Sequence, residues 1–223
     1  MFQRPEYRCH RAPSPIVIDG RLDDPAWQAA EVVDLVLADS GAAPRQRTTA
    51  RLLWDDDYLY IAFDCEDDDI WGVTTERDKD IYNQEVVEVF IDDDCDDWSY
   101  VEIEVSPLNA VLDLYMLNRD GHRRSFWNWN SEGLKTAVWV DGDPTRRGKA
   151  DGNPDRRWTV ELALPLKDCM TAPHLPPQHG DVWHINLYRI DRGVHADEYS
   201  AWSPPGVINY HTPERFGRLV FGE

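Results

Sequence analysis

No stretch of the chain is apolar for long enough to cross a bilayer, and the opening MFQRPEYRCHRAPSP lacks the apolar run of a secretory leader. Cysteine is sparse: Cys9, Cys65, Cys95 and Cys169 lie far apart with no Cys-x-x-Cys pair, which excludes a zinc site and leaves open whether any two are bridged. Positive charge is scarce too. Against 42 acidic residues stand 23 Lys and Arg, and the net charge of -19 repels nucleic acid and anionic membrane surfaces. Divalent cations and neutral polar ligands remain as partners. There is no repeat, coiled coil or phosphate-cradling glycine loop, and no break in composition that would mark a linker, so residues 1–223 read as a single domain.

What the chain has in excess is aromatic surface and acid. Ten Trp and nine Tyr exceed ordinary packing needs, and ring faces are what sugars, cations and flat rings bind. The organising stretch is Ile81 to Val105. Val87, Val89 and Ile91 alternate with Val86, Glu88 and Phe90, the period of a strand covered on both faces. After an Asp-rich turn, Val101, Ile103 and Val105 share one face and Glu102 and Glu104 the other. An antiparallel hairpin of these halves brings Glu88, Glu102 and Glu104 onto one sheet face. Three carboxylates there repel, so the face needs a cation, a hydrogen-bonding ligand, raised pKa values or open water.

Elsewhere short alternating stretches predict strands at Ile16–Asp19, Val32–Leu37, Thr48–Trp54, the segment after Asp57, AVLDLYMLN, LKTAVWV, RWTVELALP, DVWHINLYRID and the C-terminus. Asp23 or Asp24 ahead of Pro25 predicts one short N-terminal helix, docked by Trp27. GHRRSFWNWNSEG reads as a loop whose Trp127 and Trp129 form either a lid over the core or a binding surface, and DGDPTRRGKADGNPDRR as a mobile connection. Asp64 to Asp69, followed by Asp78 and Asp80, crowds hard oxygen ligands that suit calcium, with Asp67, Asp69 and Asp80 as the candidate ligands; the plain alternative is a solvated acidic loop. Many strands and almost no helix predict an all-β antiparallel sandwich of the jelly-roll or immunoglobulin-like kind.

IDGRLDDPAW, LLWDDDYLYIAF, the run from Tyr82 to Asp92, and WSPP followed by YHTPERFGRLVF occur in an order that resembles the family 9 carbohydrate-binding modules, from about residue 16 to residue 221. The resemblance implies a β-sandwich that binds mono- or oligosaccharides without catalysis, with structural calcium and a sugar clamped between two rings. Those ring positions fall on Tyr82 and Tyr210, where the best-known sugar-clamping module resembled has Trp. The polar contacts fall on Glu88 and Glu102, and Arg189 stands in as the charge from a neighbouring strand. Trp202, in SAWSPP, is a further candidate that reads more readily as core than as ligand contact. Modules of this kind usually accompany an enzyme, so an enzyme partner and an extracellular or periplasmic setting are implied, while the sequence alone also allows the cytoplasm.

Two other classes compete. A glycoside hydrolase needs paired carboxyls flanking a cleft, and Glu88 with Glu102 is the pair available, without further catalytic signature. A related sandwich serves as the haem-carrying subunit of some dehydrogenases, which needs an axial ligand on a strand, and Met116 is the candidate.

Overall fold

The stretches with a two-residue apolar period become strands because only that conformation puts every second side chain into a shared core. The computed structural model describes residues 2–119, 122–148 and 155–223. Its strands, in chain order, are β1 (Glu6–Arg11), β2 (Val33–Asp34), β3 (Val36–Leu37), β4 (Thr48–Trp54), β5 (Tyr58–Glu66), β6 (Val86–Asp92), β7 (Ser99–Val105), β8 (Val111–Arg119), β9 (His122–Phe126), β10 (Lys135–Asp141), β11 (Arg157–Pro165), β12 (Val182–Asp191), β13 (Glu198–Ala201) and β14 (Gly217–Phe221). They form one hydrogen-bonded network that curls into the two layers of a β-sandwich. One layer runs β9-β8-β7-β6-β12-β14-β1 and the other β10-β11-β5-β4-β1, with β1 shared between them.

Strand β1 is the main departure from expectation. The N-terminal arm that reads as Pro-rich connection contains EYRCHR, which runs parallel to β14 from Glu6 to Cys9 and parallel to β4 at His10 and Arg11. Tyr7 and Cys9 point inward and are fully buried; the Tyr7 hydroxyl donates to the Glu31 carbonyl at 2.7 Å and accepts from Leu52 N at 2.8 Å. Two inward side chains are too few to register as a period, yet they close the sandwich. Conversely, Ile16–Asp19 joins no ladder. Its donors go to side chains instead: Asp24 accepts from Val17 N, and Glu161 Oε2 accepts from Asp19 N and Gly20 N.

The expected N-terminal helix is a single 3-10 turn, Pro25–Ala29, with no side-chain cap. Trp27 docks it as expected: the ring is buried and its Nε1 donates to Glu161 Oε1 at 2.8 Å. Gly20 just before it has φ +84°, and a Cβ there would meet the backbone of Val138 and Trp139 at 2.7 Å, so the loop and β10 touch main chain to main chain. GHRRSF, read as loop, supplies β9. Its side chains are exposed or half-buried, so no apolar period announces the strand, and the backbone ladder to β8 alone makes it. Of the polar connection between β10 and β11, residues 149–154 lie outside the described residues.

Between the layers, Val87, Val89 and Ile91 of β6 and Val101, Ile103 and Val105 of β7 meet Leu52, Ile61, Phe63, Val160 and Leu162. Each such burial stabilises by about 1.5–3 kcal/mol relative to exposure. Trp202 belongs to this core and not to a ligand site: its ring packs edge-on to Tyr7 at 6.3 Å, and it lies so close to Gly217 that a Cβ there would stand 2.3 Å from the ring. The opposite face of the first layer carries a second cluster, with Phe90, Tyr100, Leu112, Leu114, Met116, Tyr188 and Ile190, and the loops around Ile81 and Tyr210 fold over it. The candidate site lies on that face.

Candidate functional site

In the β6–β7 ladder Glu88 stands opposite Glu104 and Phe90 opposite Glu102, so all three glutamates share the outer face of the first layer, as the alternation requires. They are buried, with relative exposures of 3, 4 and 1% for Glu88, Glu102 and Glu104, and one carboxylate oxygen from each lies within 4.8 Å of the others. Glu102 Oε2 and Glu104 Oε2 are buried and have no hydrogen-bond partner. Among the described residues the nearest basic group is His211, whose Nδ1 is 3.8 Å from Glu102 Oε2 and within 2.8 Å of the Tyr100 hydroxyl.

Burial dominates the electrostatics. It holds Glu88 well above the usual carboxylate range, with Glu102 adding to the rise and Arg192 opposing it. Glu104 is raised in the same way, by burial first and then by Glu88 and Glu102. Glu102 is pushed up to about 7 by burial, against the hydrogen bond with Glu104 and the charge of Arg123. His211 falls to about 3, from burial and then from Arg123, so its imidazole is neutral.

Over these acids opens a pocket of about 380 Å³. Its Trp and Tyr rings are Tyr82, Trp127, Tyr199 and Tyr210, its arginines are Arg123 and Arg192, and the neutral imidazole of His211 completes the lining beside them. Tyr82 comes from the 3-10 turn Ile81–Asn83 and is half-buried. Tyr210 is only 8% exposed: one face is stacked on Tyr188 at 4.0 Å, and its hydroxyl donates to the Arg189 carbonyl at 2.7 Å. It therefore meets the pocket with what the Tyr188 stack leaves free. Of the two loop rings that read as lid or binding surface, Trp127, 43% exposed, lines the pocket and Trp129 packs on the core; Tyr199 is a further pocket ring that no pattern in the sequence announces. Met116 lines the pocket wall. A second cavity of about 620 Å³, carrying Trp98, continues from the first through Arg123, Asn209 and His211.

Arg189 is not on this floor. Tyr188, under Tyr210, and Ile190, in the pocket wall, lie on the pocket's side of the sheet, so the residue between them faces the other way, and its guanidinium donates to Asp67 Oδ2 at 2.7 Å, the Glu66 carbonyl at 2.8 Å and Thr48 Oγ1 at 3.1 Å. Burial works against its charge, and Cys65, Asp67, Asp191 and Glu85 outweigh it and keep its pKa above the usual value. The pocket's own arginine from this segment is Arg192, paired with Asp197 and lying over Tyr199 at 5.4 Å. Counting on by twos from Tyr188 and Ile190 leads to it.

The expected calcium ligands also regroup. Asp67 and Asp69 are buried, but Asp80 is exposed beside Tyr82, away from them. Asp67 instead meets Glu85 and Asp191, with one oxygen from each within 4.8 Å of the others. Asp69 Oδ2, Glu85 Oε2 and Asp191 Oδ2 are buried without a hydrogen-bond partner. Hard oxygens left unsatisfied around a single guanidinium fit a divalent cation.

The carbohydrate family 9 binding domain-like family matches residues 18–223. The chain belongs to this family. Endo-1,4-beta-xylanase A of Thermoanaerobacterium saccharolyticum is 31% identical over 209 residues, which are 92% of this chain and 15% of the xylanase. A protein of Arthroderma benhamiae described as an extracellular protein is 24% identical over 201 residues, 87% of this chain and 86% of that one. A carbohydrate binding module family 9 from Caldicellulosiruptor kristjanssonii, solved in complex with cellotriose, superposes with a TM-score of 0.62 at 16% identity over 96% of this chain and 93% of that one. A carbohydrate binding module family 9 from the same organism, in complex with glucose, also gives 0.62 at 16% identity, over 97% and 96%. A Bacteroides uniformis protein gives 0.79 at 15% identity, over 98% and 100%. In this family 9 domain the shared fold sets a ring-lined pocket over three acids on one strand pair, an arrangement that can stack a flat ligand and accept several hydrogen bonds.

Proposed function

We propose that this protein binds mono- or oligosaccharide without catalysis, in the pocket between Tyr82, Trp127, Tyr199 and Tyr210. The observation that carries the reading is the convergence of four rings and three buried glutamates on one pocket. The apolar face of a pyranose stacks on Tyr82 and Trp127. Its hydroxyls donate to the glutamate oxygens that lack partners, and each such bond contributes about 0.5–1.5 kcal/mol net, or up to about 3 where the group is charged. Glu88, Glu102 and Glu104 stand side by side on one floor instead of flanking a cleft, which favours holding a sugar over cleaving a glycosidic bond. The glucose and cellotriose complexes of the Caldicellulosiruptor module support mono- and oligosaccharides as the ligand class, and the Arthroderma relative supports an extracellular setting. An enzyme partner is part of the same reading, since the xylanase relative carries this domain as a small fraction of its length.

Affinity then depends on Tyr82. On a glycan array the protein retains at least one sugar, and calorimetry with that sugar gives an affinity reduced by tenfold or more in Tyr82→Ala, a loss of about 1.4 kcal/mol or more. Equal affinity in Tyr82→Ala, Trp127→Ala and the parent protein would place the sugar elsewhere.

Calcium is the second part of the proposal. Asp67, Asp69, Glu85 and Asp191 would hold it, and bound there it would supply positive charge tying the end of β5 to the end of β12. EDTA then lowers the melting temperature and calcium restores it at constant ionic strength. A response matched by sodium chloride alone would mean general screening and no site.

A further inference from the structure

Resting on the carbohydrate reading of this pocket, the geometry points to a finer ligand class: a sugar bearing a protonated amine, such as a 2-amino-2-deoxyhexose or an oligomer of one, with its ammonium seated on Glu88, Glu102 and Glu104. The floor is short of cations. Among the described residues no Lys or Arg comes within ion-pair distance of any of the three glutamates; Arg192, paired with Asp197, and Arg123, exposed on β9, line the pocket and act on Glu88 and Glu102 only from farther away. The floor is also short of donors. Glu102 Oε2 and Glu104 Oε2 belong to residues more than nine-tenths buried that line the pocket, and neither has a hydrogen-bond partner. A hydroxyl brings one donor and no charge, so it leaves this set partly unsatisfied; an ammonium brings three donors and a full charge.

The spacing agrees. Oxygens no more than 4.8 Å apart share a centre no more than about 2.8 Å from each, so one ammonium at or just above that centre reaches all three at the length of a charge-assisted N–H···O bond. A calcium ion would also fit between the oxygens with waters completing its shell, and the test below separates it from an ammonium. Around the acids stand Leu114, Met116 and Ile190, with the Tyr82 and Trp127 rings beyond. Aliphatic walls and ring faces suit the body of an aminopyranose, and the rings themselves attract its charge.

Calorimetry with glucosamine, glucose and N-acetylglucosamine near neutral pH decides the matter, because the three differ only in the group at one ring carbon. The expected result is glucosamine at least about tenfold tighter than either neutral sugar, with that ratio falling towards one in Glu104→Gln. The comparison on the unaltered protein stands alone should the variant fold poorly. Glucosamine equal to or weaker than glucose overturns the amine assignment and leaves the carbohydrate reading intact. No binding of any sugar, here and on the array, overturns both. A calcium-binding heat lost in Glu104→Gln, with no preference for glucosamine, assigns the three acids to a metal and overturns the proposal.

Discussion

Glu102→Gln isolates the electrostatic state of the pocket floor. Burial raises this carboxyl from its ordinary 4.5 to about 7, against the hydrogen bond with Glu104 and the charge of Arg123. The folded protein therefore keeps a proton that the unfolded chain releases. That gap is worth about 3 kcal/mol, fully present below about pH 4.5 and lost as the pH rises towards 7. Gln keeps the size of the side chain and an N–H for Glu104 but has no proton to lose. His211 acts in the opposite sense, since its folded pKa of about 3 lies below the ordinary 6.5 and its contribution is lost as pH falls. Both proteins carry His211, so it cancels in their difference. Urea unfolding of the two proteins across pH 4.5 to 8 at constant ionic strength is the assay. The stability of the parent relative to the variant falls by about 3 kcal/mol over this interval, and the variant gains most above neutrality. A difference that stays flat, or that changes only below pH 4.5, would mean that Glu102 titrates as an exposed acid and that the floor is wet.

Three further outcomes test other parts of the molecule. Arg189→Met leaves Asp67 and Asp191 buried beside each other without their guanidinium and lowers the unfolding free energy by about 3–5 kcal/mol, read by urea titration. Gly20→Ala forces a Cβ into the backbone of β10 at a positive φ and destabilises by more than about 1 kcal/mol, with sugar affinity unchanged because the loop lies on the other layer. Trp27→Ala opens a cavity and strips Glu161 of one donor, costing about 3–5 kcal/mol, again without a change in affinity.

The strands that the sequence announces are those whose two faces differ. Val87, Val89 and Ile91 against Glu88 and Phe90, or Val101 and Ile103 against Glu102 and Glu104, carry their register in their composition, and the ladders follow it residue by residue. β1 and β9 are silent for opposite reasons: β1 has only Tyr7 and Cys9 to bury, and β9 buries nothing fully. Ile16–Asp19 looks like a strand because it is apolar and extended, but acidic side chains satisfy its donors before a neighbouring strand can.

The site follows the same logic one step further. Parity alone places Glu88, Glu102 and Glu104 together, and parity alone excludes Arg189 once Tyr188 and Ile190 lie on the pocket's side of the sheet; pairing an arginine with acids by charge, without counting faces, puts it on the wrong side. The same count carries on to Arg192, and it separates two buried acid clusters. Asp67, Glu85 and Asp191 surround a buried guanidinium, and Glu88, Glu102 and Glu104 form the floor of an open pocket where, among the described residues, no Lys or Arg pairs with them directly. What parity cannot reach are groups brought by loops. Trp127 arrives from the turn after β9, Tyr210 arrives with one face already spent on Tyr188, and Asp80 is carried away from Asp67 by the segment that delivers Tyr82. Since the floor is set by the strands and the walls by these loops, the charge that a ligand must bring is fixed by the sheet, and the shape it must have is left to the loops.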